Sequence, residues 1–316
     1  MALDGAQNLP SGTPLLVNNE RLNPFPENAI SHAEIKQVLE DFLRRFGYVH
    51  TITDIVDKIG ALTEVCVDTA VSRGYIVAKD DPLLKAIPVG AEFAYIGYAH
   101  RPDEDVKLYI TLYTAFLVYI DDTFERDPDA WREFCGRLIR GLPQRDRVSE
   151  HAASLIYGCP SPSLDHELKG ITLPPSASRY PEWSRVYSGA AEAFSLFIFS
   201  SDVPLNVYLP AMPDLAFFIN YVNDLFSFYK EALQGDVVNY VFSLARSRGI
   251  CPTVVLQELA DDLLAAHRRI LDTLRPHKLA YDMYSEFSNN YVGFHLVSKR
   301  YKLEDLGMVS FIMQEV

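Results

Sequence analysis

The chain has 316 residues, of which 48% are hydrophobic and 22% are charged, an ordinary composition for a globular protein. Its net charge of −13, with no basic stripe, argues against nucleic acid and anionic membrane as main partners. No apolar run is long enough to span a membrane, and no secretory signal is recognisable at the N-terminus. We therefore expect a cytoplasmic protein, and its four well-separated cysteines are expected to stay reduced.

Residues 1–30 are predicted to form an extended arm, and residues 31–316 a single α-helical domain. The first helix is expected directly after Ser31, because Ser31 and Glu34 have the spacing of a capping box. Apolar residues then recur on one helical face as far as Phe46.

The later elements follow the same helical pattern. One helix is expected to begin near Thr51, and another to run from Pro82 towards Tyr98. Apolar residues at every fourth position then predict a helix whose C-terminal end holds Asp121. Further helices are predicted over residues 128–140, 181–200, 214–234, 253–274 and 278–299, with a long loop over 158–181. Strand signals are nearly absent, so we predict an all-α fold of about ten or more helices.

Three acids crowd the end of the helix that holds Asp121. Asp121 and Glu125 are four residues apart and share a face, and Asp122 lies beside them. Mutual repulsion and the negative end of the helix dipole both disfavour this arrangement unless a cation or solvent relieves it. The cluster is therefore either a solvated helix end or a cation site.

A second polar pattern lies about 100 residues further on. Asn223, Ser227 and Glu231 recur at i, i+4 and i+8, which places them on one stripe of a helix rich in aromatic residues. Amide, hydroxyl and carboxylate oxygens suit Mg²⁺. Lys230 is nearly in line with Asn223, where it can meet an anion beside a metal ion.

The stretches "DDTFE" (121–125) and "NDLFSFYKE" (223–231) together resemble the two metal-binding motifs of class I terpene synthases. The second motif, Asn-Asp-x-x-Ser-x-x-x-Glu, is matched at Asn223, Asp224, Ser227 and Glu231. The pattern is most similar to the fungal trichodiene synthase group. It covers about residues 50–305, and it departs from many relatives in having Glu rather than Asp at position 125.

Two basic elements extend the resemblance. The family has a diphosphate-sensing arginine some 40–45 residues before the second motif, and Arg179 lies 44 residues before Asn223, whereas Arg185 lies 38 before it. The family's C-terminal Arg-Tyr pair corresponds to Arg300 and Tyr301.

The resemblance implies a single-domain bundle around a central apolar cavity. It also implies a carbon–oxygen lyase that ionises a prenyl diphosphate, most plausibly farnesyl diphosphate, and cyclises the cation to a sesquiterpene hydrocarbon or alcohol. Three Mg²⁺ ions are expected, and Mn²⁺ is an expected substitute. The implied metal ligands are Asp121, Glu125, Asn223, Ser227 and Glu231, with Asp122 in support. The implied diphosphate contacts are Arg179, Lys230, Arg300 and Tyr301.

Aromatic side chains near these motifs are candidates for the wall of the substrate pocket, where ring faces stabilise a passing cation. The candidates are Phe93, Tyr95, Tyr119, Phe217, Tyr221, Tyr291 and Phe294. Each ring also fits an ordinary core position. His295 is either a base or a buried histidine with satisfied hydrogen bonds.

Two other functions remain open at this point. A chain-elongating prenyltransferase shares the implied fold, although it would carry a second aspartate-rich motif. A non-catalytic all-α lipid-binding protein would explain the apolar helices but not the matched polar residues. The sequence does not specify the product or the oligomeric state, for which a homodimer is the analogy-based expectation.

Overall fold

The computed structural model describes residues 30–52, 55–124, 137, 142, 179–186, 190–236 and 239–311. These residues are mostly helical and contain no β-strand, which confirms the predicted all-α class. The predicted arm up to residue 29, nearly all of the helix over 128–140 and most of the loop over 158–181 lie outside the described residues. Within the described part of the chain, no helix is long and apolar enough to cross a membrane.

The described residues form eleven α-helices. They are α1 (His32–Phe46), α2 (Val56–Ser72), α3 (Leu83–Gly97), α4 (Glu104–Phe124), α5 (Tyr180–Val186), α6 (Ala190–Ile198), α7 (Leu205–Tyr208), α8 (Met212–Leu233), α9 (Tyr240–Arg248), α10 (Pro252–Leu274) and α11 (Lys278–Val297). Short 3₁₀ turns follow over Leu209–Ala211, Lys299–Tyr301, Leu303–Leu306 and Met308–Phe311.

The start of α1 is the capping box predicted from the sequence. Ser31 Oγ accepts from the Glu34 amide at 3.2 Å, and Glu34 Oε2 accepts from the Ser31 amide at 2.8 Å. The helix ends at Gly47, whose φ of 77° lies in the left-handed region that glycine adopts without strain.

Helices α3 and α4 approach each other very closely at Gly90. A Cβ atom on Gly90 would lie only 2.3 Å from the carbonyl oxygen of Thr111, so only glycine fits this contact. The close contact fixes α4, and therefore the end of α4 that holds Asp121, against the rest of the bundle.

Helix α8 is the central element. It is buried on almost every side, with α10, α6 and α1 among the helices packed against it. A helix that is apolar nearly all round is expected in the core of a large bundle. The polar stripe of α8 therefore lies in an interior setting.

Two elements differ from the prediction. Helix α2 begins at Val56 rather than near Thr51, whereas the helix predicted over 181–200 corresponds to α5 and α6, between which residues 187–189 lie outside the described residues. Helix α9 was not predicted, because it is only nine residues long. Its signals are its caps: Asn239 Oδ1 accepts from the Phe242 amide at 3.0 Å, and Gly249 ends the helix.

Candidate active site

Two adjacent residues bring the two polar motifs to one end of the bundle. Arg300 and Tyr301 lie in the 3₁₀ turn that directly follows α11. Arg300 Nη2 donates to Asp121 Oδ2 at 2.9 Å and to Asp122 Oδ1 at 3.3 Å. Asn223 Nδ2 donates to the Tyr301 hydroxyl at 3.1 Å. The structure therefore places one member of each motif next to the same turn.

The acids of the first motif are exposed and face a basic partner. The side chains of Asp121 and Asp122 are 67% and 55% exposed, whereas that of Arg300 is 23% exposed. Arg300 contacts both aspartates, and the shorter contact is made by Asp121. Glu125 lies outside the described residues, so its role stays a prediction.

The second motif presents a buried oxygen atom without a described partner. Ser227 is only 1% exposed, and its Oγ makes no hydrogen bond of ordinary geometry within the described part of the chain. Asn223 is part-buried, and its described hydrogen bonds are made through Nδ2. A buried oxygen without a partner is costly unless a ligand completes it.

The Glu231 carboxyl is strongly perturbed by its surroundings. Its pKa is raised to about 7, chiefly by burial; Ser227 and Lys230 oppose the increase, and Asp224 and Asp236 contribute to it. The Ser227 hydroxyl thus lies near enough to favour the charged form, although it is not well placed for a hydrogen bond. A cation at this position would relieve the cost of ionising Glu231.

Lys230 places a second basic group beside the motifs. Its Nζ lies 5.6 Å from the centroid of the Tyr301 ring. Burial lowers the pKa of the Lys230 ammonium, and Arg300 lowers it further, whereas Glu231 and Asp121 raise it. Arg300 thus disfavours the neighbouring Lys230 ammonium, and an anion bound beside the two would stabilise it.

The side chains that could bind a magnesium ion here are of three different chemical types. The described residues contain no group of three or more His, Cys, Asp or Glu side chains close enough to hold a metal ion. Asn223, Ser227 and Glu231 contribute one amide, one hydroxyl and one carboxylate instead. Such hard oxygen ligands fit Mg²⁺, which fills its other positions with water and phosphate oxygens.

Arg179 is not brought to the second motif. It is exposed and borders a cavity of about 350 Å³, whose lining includes Tyr240, Arg248 and Glu258. Its predicted role as the diphosphate sensor stays a prediction.

Arg185 takes the position beside the second motif instead. Its Nε donates to Asp224 Oδ1 and Oδ2 at 3.0 and 2.8 Å, and its Nη2 donates to the Asn220 carbonyl at 3.1 Å. These bonds fix α5 to α8 next to Asn223. The sequence contains both arginines, but their spacing alone did not indicate which one packs against α8.

Three of the seven candidate aromatic residues form one cluster beneath this end of the bundle. The Phe93 ring centroid lies 5.8 Å from that of Tyr291 and 5.0 Å from that of Phe294, and Phe294 lies 5.9 Å from Tyr301. All three are at least 95% buried. The cluster therefore extends from the bundle interior to the turn that holds Tyr301.

The other candidates are distributed differently. Phe217 and Tyr221 pair with each other on α8 at 4.3 Å, and Tyr119 is half-buried on α4. Tyr95 lies apart, because its hydroxyl donates to Glu104 at 3.2 Å in the first turn of α4, whereas Asp121 lies in the last. At 1.5 Å per residue these turns are about 25 Å apart, and the role of Tyr95 in the substrate pocket stays a prediction.

Two further residues support this site, of which Ser298 had no signal in the sequence and His295 had two open interpretations. Ser298, at the C-cap of α11, donates through Oγ to Glu92 Oε2 at 2.8 Å, which anchors the turn holding Arg300. His295 is completely buried, and its Nδ1 lies 2.7 Å from the Tyr291 carbonyl oxygen. This agrees with a buried, satisfied histidine rather than a base.

Comparison with known proteins gives the family. The family model for trichodiene synthase (TRI5) matches residues 166–308. Alpha-cuprenene synthase COP6 of Coprinopsis cinerea is 26% identical over 305 residues, covering 90% of this chain and 93% of the relative. Terpene synthase BipA of Cochliobolus sativus is 30% identical over 231 residues, covering 63% of this chain and 69% of BipA. Monoterpene synthase 25 of Postia placenta is 28% identical over 242 residues, covering 69% of this chain and 73% of the relative. The chain therefore belongs to the class I terpene synthases, in the group related to trichodiene synthase.

Proposed function

We propose that the protein is a magnesium-dependent terpene cyclase, a carbon–oxygen lyase that converts a prenyl diphosphate into a cyclic terpene and inorganic diphosphate. The observation that supports this best is the Arg300–Tyr301 turn, which contacts Asp121 on one side and Asn223 on the other. Oxygen ligands for a metal and basic donors for an anion are thus gathered at one end of an apolar bundle.

The residues proposed to hold Mg²⁺ are Asn223, Ser227 and Glu231 on α8, and Asp121 with Glu125 on the first motif. Three ions are proposed, with Mn²⁺ as a substitute. When bound, the metal supplies Lewis acidity that stabilises the negative charge of the leaving diphosphate. The unpartnered Ser227 Oγ and the desolvated Glu231 carboxylate support this assignment.

The chain's own donors bind the diphosphate. Lys230, Arg300 and Tyr301 face the polar end of the site, and charge-assisted hydrogen bonds of this kind are strong. Arg300 is held by Asp121 and Asp122 in the described state. Binding of an anion at Arg300 therefore exchanges these contacts for contacts with phosphate oxygens.

The hydrocarbon part of the substrate is proposed to lie on the cluster of Phe93, Tyr291 and Phe294. The rings exclude water, which would otherwise quench the cation early. Their faces stabilise positive charge by about 0.5–2 kcal/mol each. Tyr291 is held in place because its hydroxyl donates to the Ile219 carbonyl at 2.8 Å.

Farnesyl diphosphate is the proposed substrate because the resemblance is strongest to the trichodiene synthase group. A relative named as a monoterpene synthase makes the C10 diphosphate the substrate to test beside it. A cytoplasmic location and a homodimer belong to the same proposal.

Product analysis tests the proposal. Purified protein is incubated with the C10, C15 and C20 prenyl diphosphates, with Mg²⁺ or with EDTA, and the extracts are analysed by gas chromatography and mass spectrometry. We expect a cyclic C15 hydrocarbon or alcohol with Mg²⁺ only. A longer linear diphosphate would indicate a chain-elongating prenyltransferase, and binding without turnover would indicate a lipid-binding protein.

Matched serine variants locate the activity. Ser227→Ala removes the unpartnered hydroxyl and is expected to reduce turnover at least tenfold at low Mg²⁺. Ser247→Ala is the control, since Ser247 is also buried but its Oγ already donates to the Leu244 carbonyl at 2.9 Å. Equal turnover in the two variants would contradict the assignment of Ser227.

A further inference from the structure

We propose that His295 is a positioning residue that fixes the Asn223 amide with its oxygen free for a metal ion. The inference rests on the proposed function, because it concerns the same site. The inference goes beyond the proposed function because it assigns a role to a residue that touches neither metal nor substrate.

The first step concerns the proton on the imidazole. His295 Nδ1 lies 2.7 Å from the Tyr291 carbonyl oxygen, one turn earlier on α11. A carbonyl oxygen only accepts hydrogen bonds, so Nδ1 must carry the hydrogen. Because this bond is internal to α11, the helix itself sets the tautomer.

The second step concerns the other nitrogen. His295 is completely buried, with Phe226, Phe294 and Tyr301 rings within 6 Å of its own centroid. Charging an imidazole in this apolar, buried setting is costly, so the ring is neutral. A neutral imidazole with its hydrogen on Nδ1 leaves Nε2 as an acceptor only.

The third step concerns the amide that faces Nε2. Asn223 Nδ2 lies 3.5 Å from His295 Nε2 and 3.1 Å from the Tyr301 hydroxyl. The Tyr301 hydroxyl can donate or accept, so alone it would allow either orientation of the amide. His295 Nε2 cannot donate. Turning the amide over would therefore place a lone pair of Asn223 Oδ1 against the lone pair of His295 Nε2.

The contact of 3.5 Å between Asn223 Nδ2 and His295 Nε2 is long for a hydrogen bond. The preference for this amide orientation therefore comes as much from avoiding repulsion between lone pairs as from the hydrogen bond. Its consequences are nevertheless definite. With Nδ2 turned to His295 and Tyr301, Asn223 Oδ1 is not used in either contact, and Tyr301 keeps its own hydrogen for an anion. Outer contacts that orient a metal ligand in this way strongly affect metal affinity.

Three substitutions at one position separate positioning from packing. In His295→Gln the side-chain amide reaches about as far as Nε2 and can again offer an acceptor. His295→Phe keeps an aromatic ring but has no acceptor. His295→Asn reaches only as far as Nδ1. The readout is Mn²⁺ binding in the presence of inorganic diphosphate, measured by electron paramagnetic resonance, with KM and kcat measured beside it.

We expect His295→Phe and His295→Asn to weaken Mn²⁺ binding about tenfold or more, and His295→Gln to remain much closer to the wild type. The ¹⁵N NMR spectrum of the wild-type protein is expected to show His295 protonated at Nδ1 only. This measurement needs no variant, so a hydrogen found on Nε2 would overturn the inference even if a substituted protein failed to fold.

Two results would overturn the inference: Mn²⁺ binding by His295→Phe as tight as in the wild type, or a His295 hydrogen on Nε2. Failure of the proposed function looks different. In that case the wild-type protein itself would bind no Mn²⁺ with diphosphate and would release no product.

Discussion

Replacing Glu231 with glutamine is expected to stabilise the metal-free protein while removing its activity. Burial raises the pKa of Glu231 from 4.5 to about 7. Between these pH values the folded protein holds a proton that the unfolded chain has released. The wild-type protein therefore loses stability as the pH rises from 4.5 to 7, and the loss persists above pH 7.

The magnitude follows from the difference in pKa. A difference of about 2.5 corresponds to about 3 kcal/mol at pH 8, since one pKa unit is worth about 1.4 kcal/mol. Glutamine cannot ionise, so Glu231→Gln escapes this loss. About 2 kcal/mol of this difference falls between pH 5 and pH 8, because the carboxyl of the unfolded chain is already mostly ionised at pH 5.

Urea unfolding in EDTA at pH 5 and pH 8 measures the effect. The stability of Glu231→Gln relative to the wild type is expected to be greater at pH 8 than at pH 5 by about 2 kcal/mol. Addition of Mg²⁺ and diphosphate should then stabilise the wild type but not the variant, because only the wild type binds them. Glu64→Gln is the matched control, since Glu64 is exposed on α2.

The reasoning would be refuted if Glu231→Gln and Glu64→Gln behaved alike at the two pH values. That result would mean that the Glu231 carboxyl is well hydrated in the folded protein, and the case for a desolvated metal ligand would be lost.

Three further predictions follow from contacts near the site. In steady-state assays, Arg185→Ala is expected to reduce turnover more than Arg179→Ala, because Arg185 holds the second motif through Asp224. A larger effect of Arg179→Ala would contradict this and would support the sensor role predicted from spacing. Gly90→Ala should destabilise the protein by about 1–3 kcal/mol, because its Cβ would meet a backbone carbonyl at 2.3 Å, and unchanged urea unfolding would contradict this. Ser298→Ala should lower the free energy of unfolding by about 1 kcal/mol and raise KM for the prenyl diphosphate, because the turn that holds Arg300 loses its hydrogen bond to Glu92. An unchanged KM would contradict the role of Ser298 in holding this turn.

Local spacing predicted much of the site. Asn223, Ser227 and Glu231 are four residues apart on one helix, so their common stripe follows from helix geometry alone. The capping box of α1 is equally local. For the same reason, the all-α class follows from repeated apolar faces and the scarcity of strand signals.

Contacts between distant residues were harder to foresee. Arg300 and Asp121 are 179 positions apart, and Ser298 and Glu92 are 206 apart, so no local pattern connects them. The pairing of Arg185 with Asp224 depends on how α5 packs on α8. The contact of Tyr95 with Glu104 was not foreseen either, because proximity in sequence to the motifs says nothing about which end of a long helix a ring contacts.

The central claim is that the two motifs form one metal-dependent site for diphosphate, and calorimetric titration tests it most directly. Inorganic diphosphate is titrated into the wild type, Asp121→Asn and Asn223→Ala, each with Mg²⁺ and with EDTA. We expect tight binding only for the wild type with Mg²⁺, and a loss of at least tenfold in either variant. Binding that is equally tight in EDTA, or that survives unchanged in both variants, would contradict the account.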